Sequence, residues 1–184
     1  MSSELVHLRA AGVSLLVDVG DARLPRVVHW GADLGDGDVN DIARASVEPR
    51  VGGEFDSRHR LSVLPEHSWG WMHTPGVSGS RGGRDHSTRF EVGDVRSSRE
   101  GATQRLTVTA TDAVADLALT VTIELHESGL VRSRAALTST GQGAGEGAPY
   151  QVDQLTLLLP VPREATEILD YTGRWIRERT PQRH

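Results

Sequence analysis

The chain has 184 residues, a formal net charge of −5 and a pI near 5.9. That size suits one domain able to bury a core without disulfides, and that charge excludes a general nucleic-acid binder. There is no cysteine and no lysine, all 20 basic residues being arginine, so thiol nucleophiles, cysteine zinc sites, Schiff-base lysines and phosphate-loop lysines are excluded.

Near the N-terminus, Leu5 to Arg9, Val13 to Val19 and Arg26 to Trp30 read as short strands, with turns supplied by Gly12 and by Asp21 to Pro25. Asn40 is placed to cap a short helix over residues 40–46, with Asp41 in its first turn and Glu48-Pro49 ending it. Leu64 to Pro75 carries two prolines and no clean alternation and reads as a loop. Val77 to Asp85, rich in Gly, Ser and Arg, reads as a second loop. The clearest strands follow. Leu106 to Ala110 alternates, and so does Leu117 to Leu125, whose odd positions are apolar. His126 to Gly129 makes the turn and Leu130 to Thr140 returns, giving a long hairpin. Gly141 to Ala148 is low-complexity and expected to be mobile. Gln151 to Leu159 is a last strand, ended by Pro160 and Pro162. This pattern predicts an all-β, antiparallel β-sandwich with one short helix.

No run approaches the roughly 18 apolar residues of a membrane helix, and no basic region precedes the first apolar stretch. The expectation is a cytoplasmic protein with no membrane partner.

The densest unusual segment is Leu64-Pro65-Glu66-His67-Ser68-Trp69-Gly70-Trp71-Met72-His73-Thr74-Pro75. Two of the four tryptophans lie in it, flanked by two histidines and a glutamate. Large aromatics are costly to leave exposed on a loop. Two readings fit: the rings pack into the core, or they form a platform for the C–H faces of a sugar whose hydroxyls bond to His and Glu. Under the second reading at least one of Trp69 and Trp71 is expected to be substantially exposed.

Other motifs fail on spacing. His67 and His73, with Glu66 and Asp85-His86 nearby, lack the spacing that puts two ligands on one helix face, and no metal is expected. Asp36-Gly37-Asp38 begins like a calcium loop, but Asp41 stands where glycine is needed and Val47 where glutamate is needed. No Gly-x-Ser-x-Gly elbow occurs, and no carboxylate pair is marked out.

Three segments occur in order: Leu24-Pro25-Arg26-Val27-Val28-His29-Trp30-Gly31-Ala32-Asp33-Leu34-Gly35, the Leu64–Pro75 loop, and Tyr171-Thr172-Gly173-Arg174-Trp175-Ile176-Arg177-Glu178-Arg179. Together they resemble the N-terminal β-supersandwich domain of glycoside hydrolase family 36 α-galactosidases, the melibiase-like enzymes, in an actinobacterial version. The resemblance covers most of the chain. It implies that residues 1–184 are an N-terminal sandwich that stops inside that domain. It also implies that the (β/α)8 catalytic barrel, with its two aspartates, is absent. No residue is then assigned catalysis, and the chain alone is expected to be inactive. The implied partners are that barrel, an α-galactoside and further copies of the enzyme; no cofactor is implied. In related bacterial enzymes a loop of the form Pro-Glu-x-x-x-Gly-Asp-x-Arg-x-Pro reaches the galactose pocket. Pro65, Glu66, Gly70 and Pro75 match it, whereas Trp71 replaces the acid and His73 the arginine. The residues expected to touch sugar are therefore Glu66, Trp69, Trp71 and His73. The alternative is a free-standing carbohydrate-binding or assembly sandwich. The segment from Tyr171 to His184 is expected to be poorly anchored, with Trp175 and Ile176 lacking a surface to pack against.

Overall fold

The sandwich is built from a three-stranded and a four-stranded antiparallel sheet; the computed structural model describes residues 4–47, 60–141, 148–161 and 165–184. The first sheet has the order β1 (Leu5–Ala10), β2 (Val13–Asp18), β3 (Arg26–Ala32). Ala11 and Gly12 both take positive φ between β1 and β2, as a two-residue hairpin turn with native twist requires. Helix α1 (Asn40–Ala45) follows, then β4 (Val77–Ser80). The second sheet has the order β5 (Glu91–Glu100), β6 (Thr103–Asp112), β7 (Leu117–Leu125), β8 (Val131–Ser139). A small sheet pairs β4 with β9 (Gln151–Leu155), and β10 (Leu169–Arg174) pairs with β11 (Arg177–Arg183) as a hairpin.

The core lies between the two large sheets. Leu8, Leu15 and Val17 on one side meet Leu106, Val108, Leu119, Val121, Ile123 and Leu125 on the other, all buried. The odd residues of β7 face this core, as the alternation predicts, each large one contributing roughly 1.5–3 kcal/mol of burial. On the outer face of β7, Glu124 is also buried, covered by Arg105, Arg132 and Arg134 from its neighbouring strands. No helix among the described residues is long and apolar enough to cross a membrane.

Two expectations need correction, and β5 and the C-terminal hairpin add strands that the sequence pattern does not predict. Asn40 does not cap α1: Val39 is the N-cap, and Asn40 lies within the helix, donating from its amide to Asp38 Oδ1 at 2.8 Å. The short acidic turn before the helix provides the acceptor instead. Val77–Ser80 is a strand rather than a loop, because β9 pairs with it and because Arg81, buried, donates to the carbonyls of Ala115 and Ala148. The edge strand β5 is absent from the sequence reading, since most of its residues are exposed and polar. The C-terminal segment forms its own hairpin, every strand residue of which is exposed. Glu48-Pro49, Pro162 and most of the low-complexity segment lie outside the described residues.

Candidate functional site

The segment singled out by its tryptophans is an Ω-shaped loop with a closed neck. The Gly76 amide donates to the Pro65 carbonyl at 2.7 Å. Both limbs are tied to the chain beyond β9: the Thr156 amide donates to Gly76 O at 2.8 Å and the Leu158 amide to Val63 O at 2.7 Å. Inside the loop, His67–Trp69 forms one 3₁₀ turn. Gly70 ends it in the left-handed conformation, with φ 87°, a position that favours glycine.

The loop divides its residues between an anchored base and a presented tip. At the base, Glu66 is 4% exposed and its Oε1 accepts the Phe90 amide at 2.7 Å. Burial pushes its carboxyl up to about 8, against the opposing pull of that hydrogen bond. Ser68 Oγ donates to Thr88 O at 2.7 Å. Trp69 carries two guanidinium groups against its ring, Arg23 at 3.7 Å from the centroid and Arg89 at 4.3 Å, cation–π contacts that hold the indole in place. At the tip, Trp71 donates from Nε1 to Thr74 O at 2.8 Å and meets the His73 ring edge-on, centroids 5.1 Å apart. A ring nitrogen of His67 lies 2.8 Å from His73 O. Met72 stands 77% exposed between Trp71 and His73.

A cavity of about 100 Å³ opens beside the loop, lined by Arg23, Leu24, Arg60, Leu61, Ser62, Glu66, Trp69 and Trp71. Three of the four expected sugar-contact residues thus share one cavity, while His73 lies outside its lining. Neither tryptophan is substantially exposed: both are half-buried, Trp69 beneath the arginines and Trp71 folded back on Thr74. Arg23, Arg60, Arg89 and Phe90 were not marked by any motif. They come from other parts of the chain, and no spacing within the loop points to them.

A second cluster has the look of a nucleophile with its base. The His7 ring nitrogen lies 2.8 Å from Ser14 Oγ. Yet Ser14 is fully buried, its hydroxyl donates to Asp33 Oδ1 at 2.9 Å, and it accepts the Leu34 amide at 2.9 Å. The carboxylate sits on the serine rather than orienting the imidazole, so this network stitches the first sheet to the chain after β3 and offers no attacking group. Among the described residues no group of three His, Cys, Asp or Glu side chains is placed to hold a metal ion.

The model of the glycosyl hydrolase family 36 N-terminal domain matches residues 23–184. The chain belongs to that family. It is 31% identical over 157 residues to an α-galactosidase of Escherichia coli, a match covering 85% of this chain and 21% of that relative. The chain therefore spans about a fifth of the relative's length. Among solved structures, the family 36 α-galactosidase AgaA A355E of Geobacillus stearothermophilus, in complex with 1-deoxygalactonojirimycin, superposes with a TM-score of 0.76 at 18% identity, over 98% of this chain and 28% of its own. The α-galactosidase of Lactobacillus brevis superposes with a TM-score of 0.75 at 13% identity, over 99% of this chain and 27% of its own. These likenesses fix the fold as that of a family 36 N-terminal sandwich.

Proposed function

We propose that the chain is the non-catalytic N-terminal domain of an α-galactosidase. In this reading it packs against a (β/α)8 barrel carrying the catalytic groups, takes part in oligomer assembly, and presents the tip of the loop at residues 65–76 to the sugar pocket. The hydrolysis served is that of terminal α-galactose residues, and the chain alone supplies no catalytic pair.

The observation that carries this reading is the build of the loop. Its base is clipped down by Glu66, Ser68 and the Trp69–arginine stack, while Trp71 and His73 stand at the tip with their edges set by Thr74 and by each other. Such preorganisation lowers the ordering cost of binding. An indole face suits the apolar face of a pyranose, and the imidazole of His73 can bond to a hydroxyl. The packing part of the proposal is supported by the apolar surface beyond β9 and on the C-terminal hairpin, where Val161, Ile168, Tyr171, Trp175 and Ile176 are all exposed. Large apolar groups left exposed favour burial against a partner.

The test is a chimera in which residues 23–184 replace the matching region of the Escherichia coli relative. The unfused chain should release no chromophore from an aryl α-galactoside, whereas the chimera should. Trp71→Ala in the chimera should raise KM about tenfold with kcat little changed, as loss of uniform binding does. An unchanged KM for both Trp71→Ala and His73→Ala would remove the loop from the sugar pocket.

A further inference from the structure

The segment Thr88–Phe90, just before β5, is held at three successive residues, twice by the loop and once by the end of β6. The Thr88 carbonyl accepts from Ser68 Oγ, the Arg89 amide donates to Asp112 Oδ2 at 2.7 Å, and the Phe90 amide donates to Glu66 Oε1 at 2.7 Å. Phe90 is fully buried in the core, so whatever bonds to its amide is fixed relative to the sandwich. Arg89, between the two loop contacts, sits over Trp69. The base of the loop is thus registered to the core through one short segment, and Glu66 is the loop residue bonded nearest the core.

We propose that Glu66 is a positioning residue: its carboxyl, clipped to the Phe90 amide, sets where the loop places Trp71 and His73, and release of that clip lets the tip move without unfolding the sandwich. This assigns Glu66 a place beneath the binding surface, not on it. The part of the inference that concerns sugar rests on the pocket reading above; the part that concerns the loop does not.

The clip is sensitive to charge. Glu66 faces Phe90 and Arg89 from the chain before β5, Asp112 from the end of β6, and Arg23 from the turn before β3, and it shares its cavity with Arg60. Burial and the Asp112 carboxylate favour the protonated acid, while the Phe90 amide, Arg89 and Arg23 favour the anion. Burial dominates, so the carboxyl keeps its proton through neutral pH and loses it near pH 8. An anion created in that enclosed place is drawn toward water against the weaker pull of the Phe90 amide, and the anchor that Glu66 gives the loop base loosens as the carboxylate moves.

The experiment uses the 184-residue chain with Trp30→Phe and Trp175→Phe, leaving Trp69 and Trp71 as reporters. Acrylamide quenching is followed from pH 6 to 9.5 with circular dichroism as a check on the fold. With Glu66 present, the quenching constant should rise about twofold around pH 8 while the β spectrum holds. In Glu66→Gln, which keeps a carbonyl acceptor for Phe90 and cannot ionise, it should stay flat. Arg89→Met, which removes a cation that favours the anion, should move the midpoint to higher pH; this variant carries the test if Glu66→Gln does not fold. A flat response with Glu66 present, an equal rise in Glu66→Gln, or a rise accompanied by loss of the β spectrum would each overturn the proposal. In the chimera, KM should rise above pH 8 with Glu66 and not with Glu66→Gln. If quenching responds and KM does not, the pocket reading fails while the clip stands.

Discussion

Gly76 closes the neck of the loop by donating its amide to the Pro65 carbonyl at 2.7 Å, and it does so with no room for a side chain. A Cβ at this position would lie 2.8 Å from the Cα of Leu64 and still closer to its Cγ. Leu64 is fully buried, so neither partner can withdraw into solvent. Gly76→Ala should therefore destabilise the chain by about 1–3 kcal/mol through overpacking, read as a lower urea midpoint with an unchanged slope. Gly37→Ala is the matched control: nothing lies within 4 Å of its added carbon, and the midpoint should stay put.

Glu66 gives stability a pH dependence opposite to that of most carboxylates. Its folded-state value is raised from 4.5 to about 8, so the folded chain binds more protons than the unfolded chain between those limits. The contribution of Glu66 is greatest below pH 4.5 and is lost as the pH climbs through 8. The expected slope for this one group is about 1.4 kcal/mol per pH unit at most. Comparing urea midpoints of the chain and Glu66→Gln at pH 5, 6.5 and 8 isolates it. The variant should gain stability relative to the parent as pH rises. A constant difference across the range would show that the carboxyl titrates as an ordinary one.

Glu124 runs the other way. Burial alone would raise its value, but hydrogen bonds from Arg105 at 2.8 Å and Arg132 at 2.7 Å, with Arg134 at 3.4 Å, hold it below 4.5. Its stabilisation is present above pH 4.5 and disappears as the pH falls through the lowered folded value. Glu124→Gln keeps the shape and removes the charge from these bonds, which should cost about 1–3 kcal/mol at pH 7. The loss should shrink below pH 4, where the parent itself takes up a proton. Thermal unfolding at pH 7 and pH 3.5 separates the two cases.

How far the fold could be read from sequence follows from which faces meet the core. Leu117 to Leu125 was legible because one face is wholly buried in the apolar core and the other, half-buried, carries mainly polar residues, so its period survives in the residue types. β5 (EVGDVRSSRE) packs its edge of the sheet with few apolar residues and leaves no such trace. The strand Val77–Ser80 contains only one large apolar residue and is held by its partner β9 and by Arg81. The loop was legible through its prolines and tryptophans. Its clamp was not, because Arg23 and Arg89 reach Trp69 only once distant parts of the chain have folded together. Glu66 was singled out by its place beside the tryptophans, whereas its burial and its bond to the Phe90 amide leave no trace in the sequence.

Trp69 and Trp71, two residues apart, should behave as different kinds of residue. Trp69 is held under two guanidinium groups and Trp71 by one bond to Thr74. Trp69→Ala removes the ring against which Arg23 and Arg89 are held, and should cost about 2–4 kcal/mol. Trp71→Ala should cost less than about 1 kcal/mol, since it empties the tip alone. Equal losses would mean that the loop has no anchored base.

The hairpin of β10 and β11 carries strain at its most exposed point. Arg174 pairs with Arg177, so Trp175 and Ile176 form a two-residue turn, and both side chains are 86% exposed. Ile176 takes φ 75°, a conformation that a β-branched residue avoids because its Cβ crowds the following carbonyl. Nothing else in the hairpin is buried to offset this, as every residue of both strands is exposed. Its stability as a unit should therefore be far below that of the core strands β6 and β7, and its amides should exchange first. Ile176→Gly relieves the crowding at the turn and should slow exchange across residues 169–183 by roughly tenfold, the equivalent of the 1–2 kcal/mol that a left-handed residue costs. Because the hairpin packs its strands on each other and not on the core, the urea midpoint of the sandwich should not move. Hydrogen exchange read by mass spectrometry on peptides from this segment and from β7 gives both numbers in one experiment. Slow exchange in the hairpin of the unaltered chain, matching that of β7, would show that the turn is not strained and that the segment is anchored after all.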